Sequence, residues 1–459
     1  MKNQCFERKA GGDRMKKMRF DMENFGPWEI DVAPTVYPPR EDTELLCRGV
    51  SRLTGQASKA VEIGCGSGVV SMALSTLGWN VESYDVNPYA VACSRANVER
   101  HGFGDKITIK EGGVGEEGWK VPEGTKLIVW NLPYLEPPEE GDPILEPIEE
   151  ASMSDLSSGG WSKVLLDSLE GPGNEDLTVV VLFRTDPISP SSPSDWISSG
   201  WSSRPIAMER IGDEKLEVLA LWKTGSGVVE DREELCESAM DIAMGMPDTG
   251  WQRIIVDSQL SGRGRRGTTW ESNPGDLLAS WKINRGSSEI STPGMLQIGV
   301  GAAICESLNC DLKWPNDLIS TSGEKIGGIM IEANSSSPGF RIGIGINSSP
   351  RDVGGVACSG WSETMGIVPL ETVFRIVDSR VSGILEYIEM VPDINQELLE
   401  IMSWKALSRS LSRGVQAELG KEKVRILGID VNGFLLVEVG GREIVISDSQ
   451  SITWRYLEI

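Results

Sequence analysis

The sequence has 459 residues, 39% of them hydrophobic, and a formal net charge of -24, which is long enough for about three domains at roughly 150 residues each. It contains no apolar run of about 18 residues, so it offers no transmembrane helix, and its acidic balance argues against stable binding to nucleic acid, whose phosphates require a basic surface. Eight cysteines, at positions 5, 47, 65, 93, 236, 305, 310 and 358, include no Cys-x-x-Cys pair, and His101 is the only histidine; that pattern suits reduced thiols in a cytoplasm and leaves no multi-histidine metal site.

In the first twenty residues Lys2, Arg8, Lys9, Arg14, Lys16, Lys17 and Arg19 oppose Glu7 and Asp13, and no apolar stretch follows to make a secretory signal. Residues 1–29 therefore read as a basic arm. Tyr37-Pro38-Pro39-Arg40-Glu41-Asp42-Thr43 leads into Glu44-Leu45-Leu46, an extended segment turning into a helix start. Residues 60–63 read as a strand, Gly64-Cys65-Gly66-Ser67-Gly68 as a glycine turn, and the residues through Leu74 as a helix. The dinucleotide fingerprint needs its third glycine where Val69 stands, so this is not a nicotinamide turn. Residues 79–85 form a second strand ending in Asp85, whose carboxylate can hold both hydroxyls of a ribose, and Asn87-Pro88 opens a helix containing Ala90, Ala92 and Ala96. Together these point to a nucleoside-type cofactor.

A third apolar strand, from Leu127, stops at Asn131-Leu132-Pro133-Tyr134, at the carboxyl end of the sheet, where open α/β sheets bind ligands. An Asn carbonyl can accept hydrogens of a planar –NH2 group while Tyr134 stacks on its face. The nitrogen would then attack a methyl sulfonium held in line. Glu136, Glu139, Glu140, Asp142, Glu146, Glu149 and Glu150 crowd beyond the turn and would repel a polynucleotide, which favours a protein acceptor. A helix over 164–169, a strand over 177–183 and an antiparallel pair over 206–211 and 216–222, turning at Gly212-Asp213, complete this half; Lys223-Thr224-Gly225-Ser226-Gly227 reads as a linker.

Residues 37–222 resemble a class I S-adenosylmethionine-dependent methyltransferase, most closely the HemK-like family that methylates a glutamine amide of release factors. Tyr37, Pro39, Asp42 and Thr43 match that family's Tyr-x-Pro-x-x-Asp-Thr, and Gly159-Gly160 its glycine pair before a helix. The resemblance implies that Glu62, Gly64, Gly66, Gly68 and Asp85 hold S-adenosylmethionine with Tyr37 and Thr43 lining the site, and that Asn131 and Tyr134 hold the acceptor amide of a peptide chain release factor. Two features depart from the family. Leu132 stands where proline is usual, a form that resembles adenine dimethyltransferases of ribosomal RNA, and no acid for the adenine amino group is found around Glu111-Gly112-Gly113.

The second half opens with a helix over 233–244 and a strand over 253–257 that delivers Gln259 and the loop Gly262-Arg263-Gly264-Arg265-Arg266-Gly267. Three guanidinium groups among glycines suit wrapping a phosphate: Arg offers a fork of donors, and Gly lets backbone N–H groups approach. Trp270, Lys313-Trp314-Pro315-Asn316-Asp317, Lys325-Ile326-Gly327-Gly328 and Gly343-Ile344-Gly345-Ile346-Asn347 follow. In this order the series resembles the catalytic domain of a BirA-type biotin protein ligase. The resemblance implies that Gln259 contacts biotin, that Arg263 and Arg265 meet phosphate and carboxylate, and that Trp270 lies on the nucleotide side. Gly262, Gly264, Arg266, Gly267 and Asn316 complete the binding set. Lys313 and Lys325 would neutralise charge, and Asp317 would orient the acceptor lysine or the ribose. Biotin would be activated by ATP with Mg²⁺ and passed to a lysine of a biotin carboxyl carrier protein, a chemistry that needs no histidine. The family's Ser-Thr-Asn stretch before its first helix is replaced at about Asp231-Arg232-Glu233-Glu234. Strands over 424–429, 434–439 and 444–446, with Val431-Asn432-Gly433 as a hairpin turn, resemble the small barrel that follows the ligase core.

The expected protein is thus of α/β and α+β multidomain class. It has a basic arm over 1–29, a class I methyltransferase Rossmann-like domain over 30–223, a biotin protein ligase catalytic domain over 228–410 and an SH3-like β-barrel over 411–459. Rival readings have the first half modify adenine N6 in RNA or DNA, or serve as an inactive scaffold, and the second half attach lipoate.

Overall fold

Three apolar runs, Lys59–Ile63, Leu127–Asn131 and Thr178–Asp186, are buried along nearly their whole length, as parallel strands covered on both faces must be. They form the centre of the first of two units in the computed structural model, which describes residues 15–135, 154–155, 159–264, 267–284, 290–333 and 339–456. The first unit comprises the chain to Trp196 with Arg204–Lys223 and Ile388–Pro392; the second comprises Ile197–Ser203, Thr224–Tyr387 and Asp393–Ile459.

The first unit begins with β1 (Lys16–Met22) and β2 (Phe25–Val32), an antiparallel hairpin. The basic arm expected over 1–29 is corrected from Lys16 onward. Alternation turns Phe20, Trp28, Ile30 and Val32 into the core while Lys17 and Arg19 stay exposed. There follow α1 (Glu41–Val50), β3 (Lys59–Ile63), α2 (Val69–Thr76), β4 (Asn80–Asp85), α3 (Pro88–Arg100), β5 (Ile107–Glu111), β6 (Leu127–Asn131), α4 (Gly160–Ser168), β7 (Thr178–Asp186), β8 (Trp201–Ile211) and β9 (Glu214–Lys223). The sheet order is β5-β4-β3-β6-β7-β9-β8, parallel from β5 to β7 and antiparallel at β9. Strand order reverses between β3 and β6, and their carboxyl ends, the glycine turn and Asn131, flank the crevice where such sheets take ligands. The acidic run at 136–150 lies outside the described residues.

The second unit has β10 (Asp231–Cys236), α5 (Ala239–Gly245), β11 (Gln252–Gln259), β12 (Leu277–Ile283), α6 (Pro293–Leu308), β13 (Asp311–Lys313), β14 (Asp317–Ile319), β15 (Lys325–Ala333), β16 (Phe340–Ile346), β17 (Arg351–Val353), β18 (Val356–Cys358), α7 (Leu370–Leu385) and α8 (Gln396–Ser412). Its main sheet runs β10-β11-β12-β16-β15-β14-β13. The helix expected over 233–244 is half strand, because pairing from Asp231↔Ile254 to Cys236↔Gln259 overrides the helical preference of Glu-Glu-Leu. α6, apolar on nearly every side, packs against β15, α7 and α8. The expected linker is also tied down: Gly225 N donates to Glu386 at 3.0 Å, and the Thr224 and Ser379 hydroxyls lie 3.1 Å apart.

β19 (Gln416–Leu419), β20 (Glu422–Ile429), β21 (Leu435–Val439), β22 (Arg442–Ile446) and β23 (Ile452–Arg455) form a five-stranded sheet in the order β22-β21-β20-β19-β23. Its β20–β21 turn is capped by Asp430, whose carboxylate accepts from Asn432 N and Phe434 N at 2.9 and 2.8 Å. This sheet belongs to the second compact unit, together with Thr224–Tyr387. Among the described residues no helix is long and apolar enough to cross a membrane.

Candidate active sites

β16 makes the floor of a cavity in the second unit. Its pattern Phe340-Arg341-Ile342-Gly343-Ile344-Gly345-Ile346 buries the isoleucines and leaves two glycines on the opposite face. A Cβ at Gly345 would lie 2.6 Å from the Trp270 ring, and one at Gly343 2.7 Å from the Met240 sulfur. The missing side chains therefore let an indole and a thioether settle on the sheet. Register sets Ser280 of β12 and Met330 of β15 on either side of Gly343. The cavity is about 340 Å³, with Gln259, Trp270, Asn316, Asp317 and Lys325 on its lining, and Ser449 and Gln450 from the turn before β23 line it too.

Two polar atoms in this lining have no partner among the described residues: Ser280 Oγ, in a residue 1% exposed, and Trp270 Nε1. Buried donors and acceptors are almost always paired, so a ligand carrying its own polar atoms would complete the site. Beside them Lys325 Nζ stands 2.7 Å from Asp317 Oδ1 and 5.4 Å from the Trp270 ring centre, while Lys313 Nζ is 3.7 Å from the other Asp317 oxygen. One carboxylate between two ammonium groups leaves a net positive charge and holds Lys325 over the indole.

Arg263 departs from its expected role. It pairs with Asp241 and, at 3.4 Å, with Glu332, which also holds Arg341, so its charge is already countered by carboxylates. Arg265 and Arg266 lie outside the described residues. The loop folds back on itself: Trp270 N donates to Gly262 O at 2.8 Å and Gly264 N to Thr268 O at 2.7 Å. A Cβ at Gly262 would come within 2.5 Å of Trp270 O; Gly267 has φ +78°. Gln259 Oε1 accepts from Ala239 N at 3.4 Å, and Asn316 Nδ2 donates to Ile329 O at 3.1 Å; both side chains brace the cavity wall as well as lining it. The expected departure at Asp231–Glu234 is also corrected, since those residues belong to β10 and the segment before the first helix is Glu237-Ser238. Ser238, Met240 and Ser280 were not singled out from sequence; a lone hydroxyl in the apolar strand Leu277-Leu278-Ala279-Ser280-Trp281 was the available signal.

In the first unit Gly64, Gly66 and Gly68 have φ of 68°, 52° and 84°, a region that side chains disfavour. Asp85 closes the turn, accepting from Gly66 N and Asn87 N, each at 2.9 Å. Each of its oxygens keeps a lone pair for a ribose hydroxyl. Tyr37, with the Arg40 guanidinium 5.0 Å over its ring, has its carbonyl 3.9 Å from where a Gly66 Cβ would stand.

Three residues of the expected site are engaged within the fold. The Thr43 hydroxyl accepts from Arg40 N and donates to Asp42 Oδ1, both at 3.3 Å, so it caps α1. Glu62 is 3% exposed and accepts from Ser71 and Ser83, bracing β3 against α2 and β4. Tyr134 is 6% exposed and packed in the core rather than offering an open face; burial, then the charge of Asp42, pushes its phenol up. Leu132, unusual at its position, is also fully buried.

Asn131 is held in one orientation. Its Nδ2 donates to Asp42 Oδ2 at 3.0 Å, and the other Asp42 oxygen accepts from Thr43 N at 2.7 Å. A carboxylate only accepts, so the amide oxygen must point the other way; it is buried and has no partner among the described residues. Asp42 is thus a positioning residue whose role the motif match did not reveal.

Burial pushes the Glu62 carboxyl up to about 8, against the bond from Ser71 and helped by the charge of Asp85. The folded unit keeps a proton that the unfolded chain releases near its ordinary value of ~4.3. Between these values stability falls as pH rises, by at most about 1.4 kcal/mol per pH unit. Glu62→Gln should therefore raise the melting temperature of this unit at pH 8, by roughly 2–4 °C for each kcal/mol recovered in a unit of this size, and scarcely at pH 5. Calorimetric scans showing the same shift at both pH values would mean that Glu62 is ionised throughout.

Known proteins divide along the same line. The family model described as "Methyltransferase small domain" matches residues 41–169, and that described as "Biotin/lipoate A/B protein ligase family" matches 247–349. A biotin--[acetyl-CoA-carboxylase] ligase of Paracoccus denitrificans is 29% identical over 129 residues, 26% of this chain and 52% of that protein. A release factor glutamine methyltransferase of Geobacter sulfurreducens is 35% identical over 118 residues, 25% of this chain and 39% of that protein. The chain thus spans about half or less of these two relatives. The solved biotin protein ligase of Aquifex aeolicus in complex with biotin and ATP aligns at TM-score 0.41 and 21% identity, covering 50% of this chain and 100% of that one.

Proposed function

Given a chain that carries a methyltransferase small domain followed by a domain of the biotin/lipoate A/B protein ligase family, we propose two activities. The second unit activates biotin with ATP as biotinyl-5'-AMP and transfers it to a lysine of a biotin carboxyl carrier protein. The first unit moves a methyl group from S-adenosylmethionine to a glutamine amide of a release factor.

The observation that carries the ligase reading is the pair of unpartnered atoms, Ser280 Oγ and Trp270 Nε1, over the glycine floor beside Lys325. A cis-fused bicyclic urea with an aliphatic acid tail suits such a place: its planar ureido ring rests on the sheet, its polar edge meets the buried hydroxyl, and its carboxylate reaches the ammonium group. A carboxylate is a poor electrophile. Its oxygen attacks the α-phosphate of ATP, pyrophosphate leaves, and Lys325 and Lys313 stabilise charge on the phosphate oxygens. Mg²⁺ bound with ATP would share that task. The carrier amine then attacks the acyl carbon, and AMP departs. We read the five-stranded C-terminal sheet as the SH3-like barrel of such ligases. A reducing cytoplasm is the matching compartment, since Cys305 and Cys310 stand with sulfurs 3.5 Å apart as free thiols.

On the methyl-transfer side, the residues fit S-adenosylmethionine through the glycine turn and the lone pairs left on Asp85, and the bound cofactor supplies an electrophilic methyl group. Asn131 Oδ1 accepts an N–H of the acceptor amide and aims its nitrogen. The test is incubation of the protein with ATP, labelled biotin and a carrier domain. Label on one carrier lysine, dependent on ATP, is expected; label from lipoate and none from biotin would sink the ligase reading.

A further inference from the structure

Arg184 lies near the carboxyl end of β7, 8% exposed, with one guanidinium nitrogen donating to Glu214 Oε1 at 3.1 Å and its Nε buried without a partner among the described residues. β6 and β7 run parallel with Asn131 opposite Leu182. The side chains of Asn131, Leu182 and Arg184 therefore leave the sheet on one face, with Arg184 about 6–7 Å farther along its strand. That face is the one on which Asp42 holds the Asn131 amide, and the charges of Asp42, Glu214 and Arg184 all act on the Tyr134 hydroxyl. Two buried polar atoms on this face thus have no partner among the described residues: the acceptor Asn131 Oδ1 and the donor N–H of Arg184 Nε.

A primary carboxamide carries the complement, an N–H donor and a carbonyl acceptor on one carbon. We propose that Arg184 is an acceptor-binding residue whose Nε–H takes the carbonyl oxygen of the amide while Asn131 Oδ1 takes its N–H. This rests on the amide-methylating reading of the first unit. Held at both ends, the amide cannot rotate, and its nitrogen faces the methyl group. As the N–C bond forms, the C–S bond breaks, sulfur keeps the electron pair as a thioether, and the nitrogen gives one proton to water. Pairing with Glu214 counters the Arg184 charge, which suits an uncharged carbonyl better than a phosphate or carboxylate.

Two substitutions separate recognition from bracing. Both Arg184→Gln and Arg184→Met abolish the pair with Glu214, but the Gln side-chain nitrogen falls where Nε stood and keeps an N–H there, whereas Met puts a methyl group in that place. The full-length protein is assayed with tritiated S-adenosylmethionine and a release factor, and calorimetry with S-adenosylhomocysteine reports an intact cofactor site. We expect kcat/KM for the release factor to stay within about threefold of wild type for Arg184→Gln and to fall about 10- to 100-fold for Arg184→Met, with S-adenosylhomocysteine affinity unchanged in both. Equal losses in the two variants, or loss of S-adenosylhomocysteine binding in both, would make Arg184 a structural brace and overturn the proposal. A wild-type protein that ignores the release factor but methylates adenine in RNA would instead overturn the amide reading itself, before any variant is compared.

Discussion

Lys325→Met should lower biotin-dependent exchange of pyrophosphate into ATP about 10²–10³-fold, the usual cost of removing one preorganised charge from a developing anion, and leave methyl transfer within about twofold. The side chain is 40% exposed and is held by Asp317 at 2.7 Å over the face of Trp270, so its loss removes a fixed charge without opening the core. Methionine keeps most of the aliphatic stem against the indole. What disappears is the ammonium group, and Lys313, at 3.7 Å from the same aspartate, is then free to form a closer pair with it. The remaining carboxylate would face an incoming phosphate with less opposition. Single-turnover measurement of adenylate separates this from a simple binding defect: the rate of adenylate formation at saturating ATP and biotin should fall. If only the apparent affinity for ATP fell, Lys325 would bind ground state and transition state alike.

Asn131→Ala should lower methyl transfer at least about 10²-fold, by removal of a preorganised acceptor, with binding of S-adenosylhomocysteine unchanged. The substitution deletes the buried Asn131 amide oxygen, which has no partner among the described residues, and it also strips Asp42 of the N–H that now satisfies Oδ2. Asp42 is 3% exposed, and burial already raises its carboxyl above the ordinary range. Without Asn131 it should take up a proton more readily, so the residual activity of the variant should not regain the wild-type pH profile. Retention of a tenth or more of wild-type kcat would show that the amide nitrogen is aimed by something other than Asn131.

How much of this was legible in the sequence depends on distance along the chain. The glycine turn, the strand ending at Asp85 and the run ending at Asn131 are local patterns whose period or spacing has one structural meaning, and the parallel sheet follows from them. The isoleucine–glycine run of β16 was legible only as a motif; that it floors a cavity required β12 and β15 beside it. The partners of Arg263 could not be read in that way, since Asp241 and Glu332 are 22 and 69 positions away and pair with it only after β11 and β15 have been placed in the sheet. Asp42 was visible as a motif residue, but its contact with Asn131 spans 89 positions. β10 was misread because Glu-Glu-Leu favours a helix in isolation, and only the neighbouring β11 makes it a strand. Thr43 and Glu62 show the converse: the residue types stand at the expected spacing, yet the Thr43 hydroxyl is engaged at the start of α1 and Glu62 Oε2 accepts from Ser71 and Ser83 within the fold.

A crystal structure of the full-length protein grown with biotinyl-5'-AMP would test the ligase site most directly. The urea edge should lie within hydrogen-bonding distance of Ser280 Oγ, the phosphate beside Lys325, and Trp270 Nε1 should have gained a partner from the ligand. Finding the compound elsewhere, with the Ser280 hydroxyl and the indole N–H still unsatisfied above Gly343 and Gly345, would contradict the assignment of this cavity.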